Sequence, residues 1–160
     1  RGASGSPGEL RGDFDLTRDL GLLYANTECG IFGVLPQENR PEAVGEAIPV
    51  ARRTEVRTGK AVILANCRGD EVCAYEIEIE KLYGGSAPTR NLLLRVTDPA
   101  LIALTGGIVQ GMSGSPIVQD GKLVGAVTHV LLDDPQRGYG ILAENMLSAS
   151  GMTAQSAASA

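Results

Sequence analysis

One short stretch alternates strictly between apolar and acidic residues, and it constrains the fold more than any other feature. Between Tyr75 and Glu80 the sequence is Tyr-Glu-Ile-Glu-Ile-Glu. A period of two places Tyr75, Ile77 and Ile79 on one face of a β-strand and the glutamates in water. A helix would distribute the same residues around its axis. The stretch therefore predicts a strand that is buried on one side.

Similar short apolar runs, separated by turn residues, recur about every ten residues along the chain. Asp120-Gly121 lies between two of them and is a strong signal for a tight hairpin. Many short strands with few helices predict an all-β barrel or sandwich. The predicted strands are Cys29–Leu35, Glu46–Ala51, Lys60–Asn66, Glu71–Leu82, Asn91–Thr97, Pro116–Gln119, Lys122–Leu132 and Tyr139–Ala143.

Two short helices are also predicted. Asp98 is placed as an N-cap with a proline at the first helical position, which indicates a helix over Pro99–Leu104. A second helix over Glu144–Ala149 closes the domain. Residues 1–20 are rich in Gly, Ser and Asp and are expected to form a loop, and the Ser/Ala-rich tail is expected to fray.

Size and charge narrow the classes of protein. The chain has 160 residues, enough for one domain, with a net charge of -5 that argues against nucleic acid as a partner. The cysteines and the single histidine have no zinc-site spacing, so we expect no metal and no cofactor. Cys67 and Cys73 flank a predicted turn, where either a disulfide or two free thiols would fit.

The segment Gly106–Pro116 is the candidate for chemistry. Its sequence, Gly-Gly-Ile-Val-Gln-Gly-Met-Ser-Gly-Ser-Pro, lacks the Lys-Ser/Thr ending of a phosphate-binding loop. A plain glycine-rich turn is one alternative. The other is the nucleophile loop of trypsin-like proteases, where two backbone N–H groups stabilise an oxyanion by roughly 3–4 kcal/mol each. Those donors would here be Gly111 and Ser113, with Ser113 as the nucleophile.

The segments after the loop favour the protease interpretation. A strand, the Asp-Gly turn and a second strand come next, in the order found in the second barrel of trypsin-like proteases. That second strand would place Thr128, His129 and Val130 beside a bound substrate, where a strand edge supplies β-type hydrogen bonds.

Longer motifs extend this pattern over most of the chain. They are Thr105–Ile117, Gly125–Val130, Asp134-Pro135 and Gly138-Tyr139-Gly140, in a span from Gly30 to Leu147. Together they resemble the SpoIVB peptidase family, the serine peptidases of endospore-forming bacteria. The resemblance implies Ser113 as the nucleophile and Asp98 as the acid of the catalytic triad, a role that does not exclude N-capping.

The resemblance also implies the organisation of the chain. The fold would be an all-β, chymotrypsin/trypsin-like C-terminal barrel with a short terminal helix and the first barrel largely missing. Residues 28–148 would be the C-terminal portion of the peptidase domain. Residues 1–27 would be a loop left from the region between the barrels, and residues 149–160 a flexible tail.

Partners and location are implied by the resemblance alone. Family members carry an upstream PDZ domain and cut a membrane-anchored regulator during sporulation. The implied site is extracytoplasmic, associated with a membrane or between the forespore and mother-cell membranes. The implied partner is a protein or peptide substrate.

The candidate triad lacks a general base. A serine hydroxyl needs such a base to become a nucleophile. The only histidine, His129, follows the serine, whereas the family's catalytic histidine precedes it. The chain could be a fragment that lacks the histidine, or His129 could serve in a rearranged site. Alternatively the chain is a pseudopeptidase that binds peptides without cutting them. Lys60 and Lys122 lack the context of a Ser-Lys dyad.

Overall fold

Six of the eight strands in the described part of the chain close into an antiparallel barrel. The computed structural model describes residues 17–42, 45–69, 71–84 and 87–151. The strands are β1 (Leu22–Thr27), β2 (Gly30–Val34), β3 (Gly59–Arg68), β4 (Glu71–Leu82), β5 (Leu92–Val96), β6 (Pro116–Gln119), β7 (Lys122–Leu131) and β8 (Asp134–Leu142). The helices are α1 (Pro99–Thr105) and α2 (Ala143–Ala149), with single 3₁₀ turns at Gln37–Asn39 and Arg53–Glu55. The barrel order is β3-β4-β5-β8-β7-β6, and β1 and β2 form a separate hairpin. This confirms the predicted all-β barrel with a short terminal helix.

The alternating stretch in β4 faces the barrel interior as predicted. Its apolar side chains Tyr75, Ile77 and Ile79 are 5% exposed or less. Its last glutamate is an exception, because Glu80 is half-buried and accepts hydrogen bonds from Arg95 and Arg137. Burial acts to raise the pKa of Glu80, but the two guanidinium groups outweigh it and hold that pKa below its ordinary value.

Three strand predictions differ from the structure. β1 was not predicted and lies within residues 1–27, which were expected to form a loop. The predicted strand Glu46–Ala51 is wrong: it contributes one isolated bridge, from Val50 to Leu123. Pro49 lies beside that bridge and has no N–H group to extend a ladder. β8 begins at Asp134, five residues earlier than predicted.

Asn91 and the helix caps position the two helices. Asp98 caps α1 as predicted, and Gly106 ends it with a φ of 79°. The buried side chain of Asn91 accepts hydrogen bonds from the Leu142 N–H group and from Asn145, and so attaches α2 to the barrel. Among the described residues no helix is long and apolar enough to cross a bilayer.

Candidate active site

Ser113 lies at a gap in the barrel wall. β6 has four residues, whereas its neighbours β3 and β7 have ten each. Ser113 is three residues before the start of β6. It therefore lies at the end of the barrel where β3 and β7 both extend past β6. Its side chain is exposed, and its hydroxyl donates a hydrogen bond to the Thr128 carbonyl of β7 at 3.0 Å.

Backbone hydrogen bonds fix the loop around Ser113 (residues 106–115, the Ser113 loop). The Gly114 N–H group donates to the Val127 carbonyl at 2.7 Å, and the Val127 N–H group donates to the Ser115 carbonyl at 3.0 Å. At the other end of the loop, the Ile108 N–H group donates to the Pro135 carbonyl of β8 at 2.8 Å. The serine is therefore presented by a loop held to two barrel strands.

Four glycines of the Ser113 loop have positive φ, and two of them flank the serine. Gly111 and Gly114 have φ values of 99° and 91°, a region that side-chain-bearing residues rarely adopt. Between them the Met112 side chain is 6% exposed and anchors the loop in the core. In the part of the chain that the structure describes, the backbone N–H groups of Gly111 and Ser113 donate to no acceptor. Two unpaired donors therefore flank a buried anchor, at a surface open to solvent.

Asp98 lies at the same end of the barrel as Ser113, because β5, which it follows, runs in the same direction as β7. Its Oδ1 atom accepts from the Ala100 and Leu101 N–H groups at 2.8 and 3.1 Å, and its Oδ2 atom accepts from the Glu76 N–H group at 3.1 Å. These bonds, the one from Glu76 foremost, hold the pKa of Asp98 below its ordinary value.

The predicted substrate residues lie on the part of β7 that extends past β6. The Thr128 hydroxyl lies 3.2 Å from the carbonyl oxygens of both Thr89 and Tyr139. His129 is exposed, and Val130 is half-buried against the core. The Ser113 hydroxyl bonds to the Thr128 carbonyl and not to the imidazole of His129.

Lysine is not available as a base for Ser113. Lys60 and Lys122 lie at the starts of β3 and β7, which is the end of the barrel opposite Ser113. Lys122 forms an ion pair with Glu55 there. The antiparallel order of the strands therefore separates both amines from the serine.

A cleft beside Ser113 was not predicted. It has a volume of about 550 Å³ and lies between the Ser113 loop and the end of β3, where Leu64, Ala65 and Cys67 line it. The sequence did carry a signal for it, because the predicted strand at Lys60–Asn66 is longer than the one at Pro116–Gln119.

The three cysteines are free thiols, and two of them adjoin a buried tyrosine. Among the described residues, no group lies within hydrogen-bonding geometry of the Tyr75 hydroxyl. Burial, with the neighbouring Cys73 and Cys67 thiols, raises the pKa of Tyr75 to about 12. Tyr75 is therefore a neutral part of the core behind the cleft.

Solved structures with a similar fold are proteases. The active form of the Rv3671c protease from M. tuberculosis matches with a TM-score of 0.51 and 22% identity, over 83% of this chain and 59% of that one. Its inactive form matches with a TM-score of 0.51 and 20% identity, over 82% of this chain and 65% of that one. The chain thus spans about three fifths of the length of these proteases, and their likeness confirms the predicted trypsin-like barrel. No curated protein matches the chain.

The family model described as SpoIVB peptidase S55 matches residues 1–147. The match begins well before Gly30, where the motifs recognised in the sequence start, so β1 and the residues before it also carry the family pattern. It ends within α2, which closes the barrel. The chain belongs to the SpoIVB peptidase S55 family.

Proposed function

We propose that this chain carries the nucleophile of a serine endopeptidase that hydrolyses peptide bonds through an acyl-enzyme on Ser113. The proposal rests on one observation. At the gap in the barrel wall, an exposed serine hydroxyl lies beside two backbone N–H groups that have no acceptor among the described residues. The Oγ atom of Ser113 would bond to the carbonyl carbon of the scissile peptide. The Gly111 and Ser113 N–H groups would then stabilise the oxyanion.

The proton of Ser113 must leave as that bond forms. In the structure the hydroxyl donates to a backbone carbonyl, which cannot accept a proton at neutral pH. We therefore propose that a histidine outside these 160 residues takes the proton and later gives it to the departing amine, after which water hydrolyses the acyl ester. Asp98 would hold that imidazole in the correct tautomer.

Two observations support a base outside this chain. The chain covers 59% of the active Rv3671c protease, so a similar protease has further residues. In addition, the β1–β2 hairpin exposes large apolar side chains, among them Leu22, Leu23 and Ile31, each at 65% or more. Such a surface is typical of one that packs against another part of a protein.

A peptide-binding pseudopeptidase is the competing function. One observation favours it, namely that the Ser113 hydroxyl bonds to the carbonyl of Thr128, next to the exposed His129, and not to a base. In that case β7 would still bind peptides, but no acyl-enzyme would form.

The biological setting is proposed from the family. The substrate would be a membrane-anchored regulator cut during sporulation signalling, outside the cytoplasm and next to a membrane. A PDZ domain upstream of the barrel would help to select that substrate.

A fluorophosphonate probe tests the proposal, because it labels only a serine that has a working base. We expect the protein expressed from its whole gene to be labelled, and Ser113→Ala to abolish labelling. Ser115→Ala is the matched control, since Ser115 contributes backbone bonds to the loop, and it should retain labelling. A folded whole-gene protein that resists the probe would establish the pseudopeptidase instead.

A further inference from the structure

Thr128 connects Ser113 to an arginine on another segment of the chain. The Thr128 carbonyl accepts the Ser113 hydroxyl at 3.0 Å, and the Thr128 hydroxyl lies 3.2 Å from the carbonyl oxygen of Thr89. The next residue, Arg90, is exposed, and its guanidinium group stands over the ring of Tyr139 at 5.2 Å from the ring centroid. Such a cation–π contact holds the guanidinium in place. A positioned cation therefore lies close to the candidate nucleophile.

The charge of Arg90 has no acidic partner in the part of the chain that the structure describes. The same holds for Lys81, which stands over the ring of Tyr83 at 4.9 Å, and the rings of Tyr83 and Tyr139 lie 6.3 Å apart. Glu80, an acid on the neighbouring part of β4, is already paired with two arginines. The surface around Tyr139 thus presents two cations that can attract an anionic group.

The backbone of β7 past the end of β6 can pair with a peptide. Successive residues of a strand direct their backbone groups to opposite sides. The Thr128 carbonyl faces Ser113, whereas the His129 carbonyl faces β8, where a Cβ atom on Gly138 would come within 2.5 Å of it. The backbone groups of Val130 therefore face the same side as the Thr128 carbonyl. A peptide added on that side would pair with Thr128 and Val130.

The register of such a peptide decides which of its side chains meets Arg90. With the scissile carbonyl at Ser113, the residue that bears this carbonyl lies beside Thr128, and the residue before it lies opposite His129. Residues directly opposite each other in an antiparallel pair share a face. His129 is exposed and pairs with Tyr139, so this face is the one on which the Arg90 guanidinium lies. Neighbouring strands are about 4.8 Å apart, which places the substrate side chain roughly 10 Å from Tyr139, a span that arginine and glutamate side chains bridge together.

We propose that Arg90 is a specificity-determining residue, which selects an acidic side chain at the substrate position directly before the residue that bears the scissile carbonyl. The register of the substrate rests on the proposed function of Ser113, whereas the choice of an acid rests on the guanidinium group without an acidic partner. Both side chains stay in contact with water, so the effect is a preference and not an absolute requirement.

Peptides that resemble the acyl product test this preference in the whole-gene protein without any turnover. Each probe is an alanine tetrapeptide with a fluorophore at its amino end and a free carboxylate at its carboxyl end. Its penultimate residue is glutamate, glutamine or lysine, and fluorescence anisotropy measures the Kd. We expect the glutamate peptide to bind about threefold more tightly than the glutamine peptide and about tenfold more tightly than the lysine peptide. Equal Kd values for the glutamate and lysine peptides, or no binding of the glutamate peptide, would overturn the proposal.

Charge reversal assigns the preference to Arg90. Arg90→Glu should reverse the order, so that the lysine peptide binds more tightly than the glutamate peptide. Lys60→Glu is the matched control, because it makes the same change of charge at an exposed residue at the opposite end of the barrel, and it should keep the order of the parent protein. An order that survives Arg90→Glu, or that Lys60→Glu reverses equally, would refute the assignment.

A fourth peptide tests the register. It carries the glutamate one position nearer its amino end, where the side chain lies on the other face of the added strand. This peptide should bind no more tightly than a peptide with glutamine at the same position. A preference for glutamate as large as at the penultimate position would show unspecific attraction and overturn the proposed register.

The fluorophosphonate probe separates this inference from the proposed function. If Ser113 is labelled but Arg90→Glu keeps the order of the parent protein, the specificity inference fails and the catalytic one stands. If Arg90→Glu reverses the order but Ser113 of the folded whole-gene protein stays unlabelled, the selection of acidic peptides stands and catalysis fails.

Discussion

At the scale of single residues, the backbone decides what the Asp98 carboxylate can still do. Oδ1 accepts two N–H groups, whereas Oδ2 accepts only that of Glu76. A carboxylate has about four acceptor positions, so Oδ2 retains capacity for an imidazole. Capping of α1 and a place in the triad are therefore compatible, and the cap fixes the orientation of the carboxylate before any partner binds.

Asp98 should also make stability depend on pH. Its pKa is lower in the folded chain than in the unfolded chain, so its contribution is complete above the unfolded value of about 3.9 and is lost as the pH falls through the folded value. Asp98→Ala should cost about 1 kcal/mol at pH 7. Urea unfolding at a series of pH values should show this difference shrinking below pH of about 4. Asp133→Ala, in an exposed turn, is the control and should change stability little; a pH-independent cost for Asp98→Ala would contradict the argument.

At the scale of elements, the sequence correctly predicted the features that a few neighbouring residues determine. The alternation in β4 fixed the inward face, and the Asp120-Gly121 turn adopts φ values of 50° and 74°, as a tight hairpin requires. It missed β1, whose exposed residues show no alternation, and it wrongly made Glu46–Ala51 a strand. Glu46–Ala51 is bridged only to a distant residue, Leu123, whereas β1 pairs locally with β2 but buries no face that would impose an alternating pattern.

The candidate site was also predicted only in part. Ser113 and its flanking glycines could be recognised because the loop needs small residues at fixed spacing. The unequal lengths of the predicted strands at Lys60–Asn66 and Pro116–Gln119 were the one signal for the cleft. Its place and volume could not be predicted, because the register of β3 on β6 is set by the packing of the whole barrel.

Gln119 holds the short strand β6 in place. Its buried side-chain amide donates to the Arg57 and Lys60 carbonyls at 3.0 and 3.1 Å and accepts from the Arg57 N–H group at 3.1 Å. Gln119→Leu leaves these backbone N–H and carbonyl groups without hydrogen-bond partners. It should lower the free energy of unfolding by about 1–3 kcal/mol. Thermal and urea unfolding would measure the loss. Gln136→Leu in β8 is the matched control, expected within about 0.5 kcal/mol of the parent. If Gln119→Leu left the free energy of unfolding unchanged, β6 would not depend on these hydrogen bonds.

At the scale of the whole molecule, the barrel has an apolar core of its own, whereas the β1–β2 hairpin exposes its apolar side chains. The barrel encloses the apolar core, whereas within the described residues β1 and β2 pair only with each other. A side-chain hydrogen bond from Tyr24 to the Ser150 carbonyl, at 3.2 Å, links the hairpin to the end of α2. An isolated two-stranded hairpin is marginally stable in water, so further packing on its apolar face would stabilise it.

Ile31, 66% exposed in the hairpin, tests whether the part of the protein that is proposed to bear the base packs there. Ile31→Lys should cost little in the 160-residue chain, because the side chain already lies in water. In the whole-gene protein the substitution should lose about 1.5–3 kcal/mol, the free energy gained by burying the isoleucine side chain. Since about 1.4 kcal/mol is a factor of ten, fluorophosphonate labelling of Ser113 should slow about tenfold or more. Leu132→Lys is the matched control, because Leu132 is 92% exposed in the β7–β8 turn and should leave labelling unchanged. Equal labelling of both variants would place the packing surface elsewhere, since a lysine at a buried interface cannot be silent.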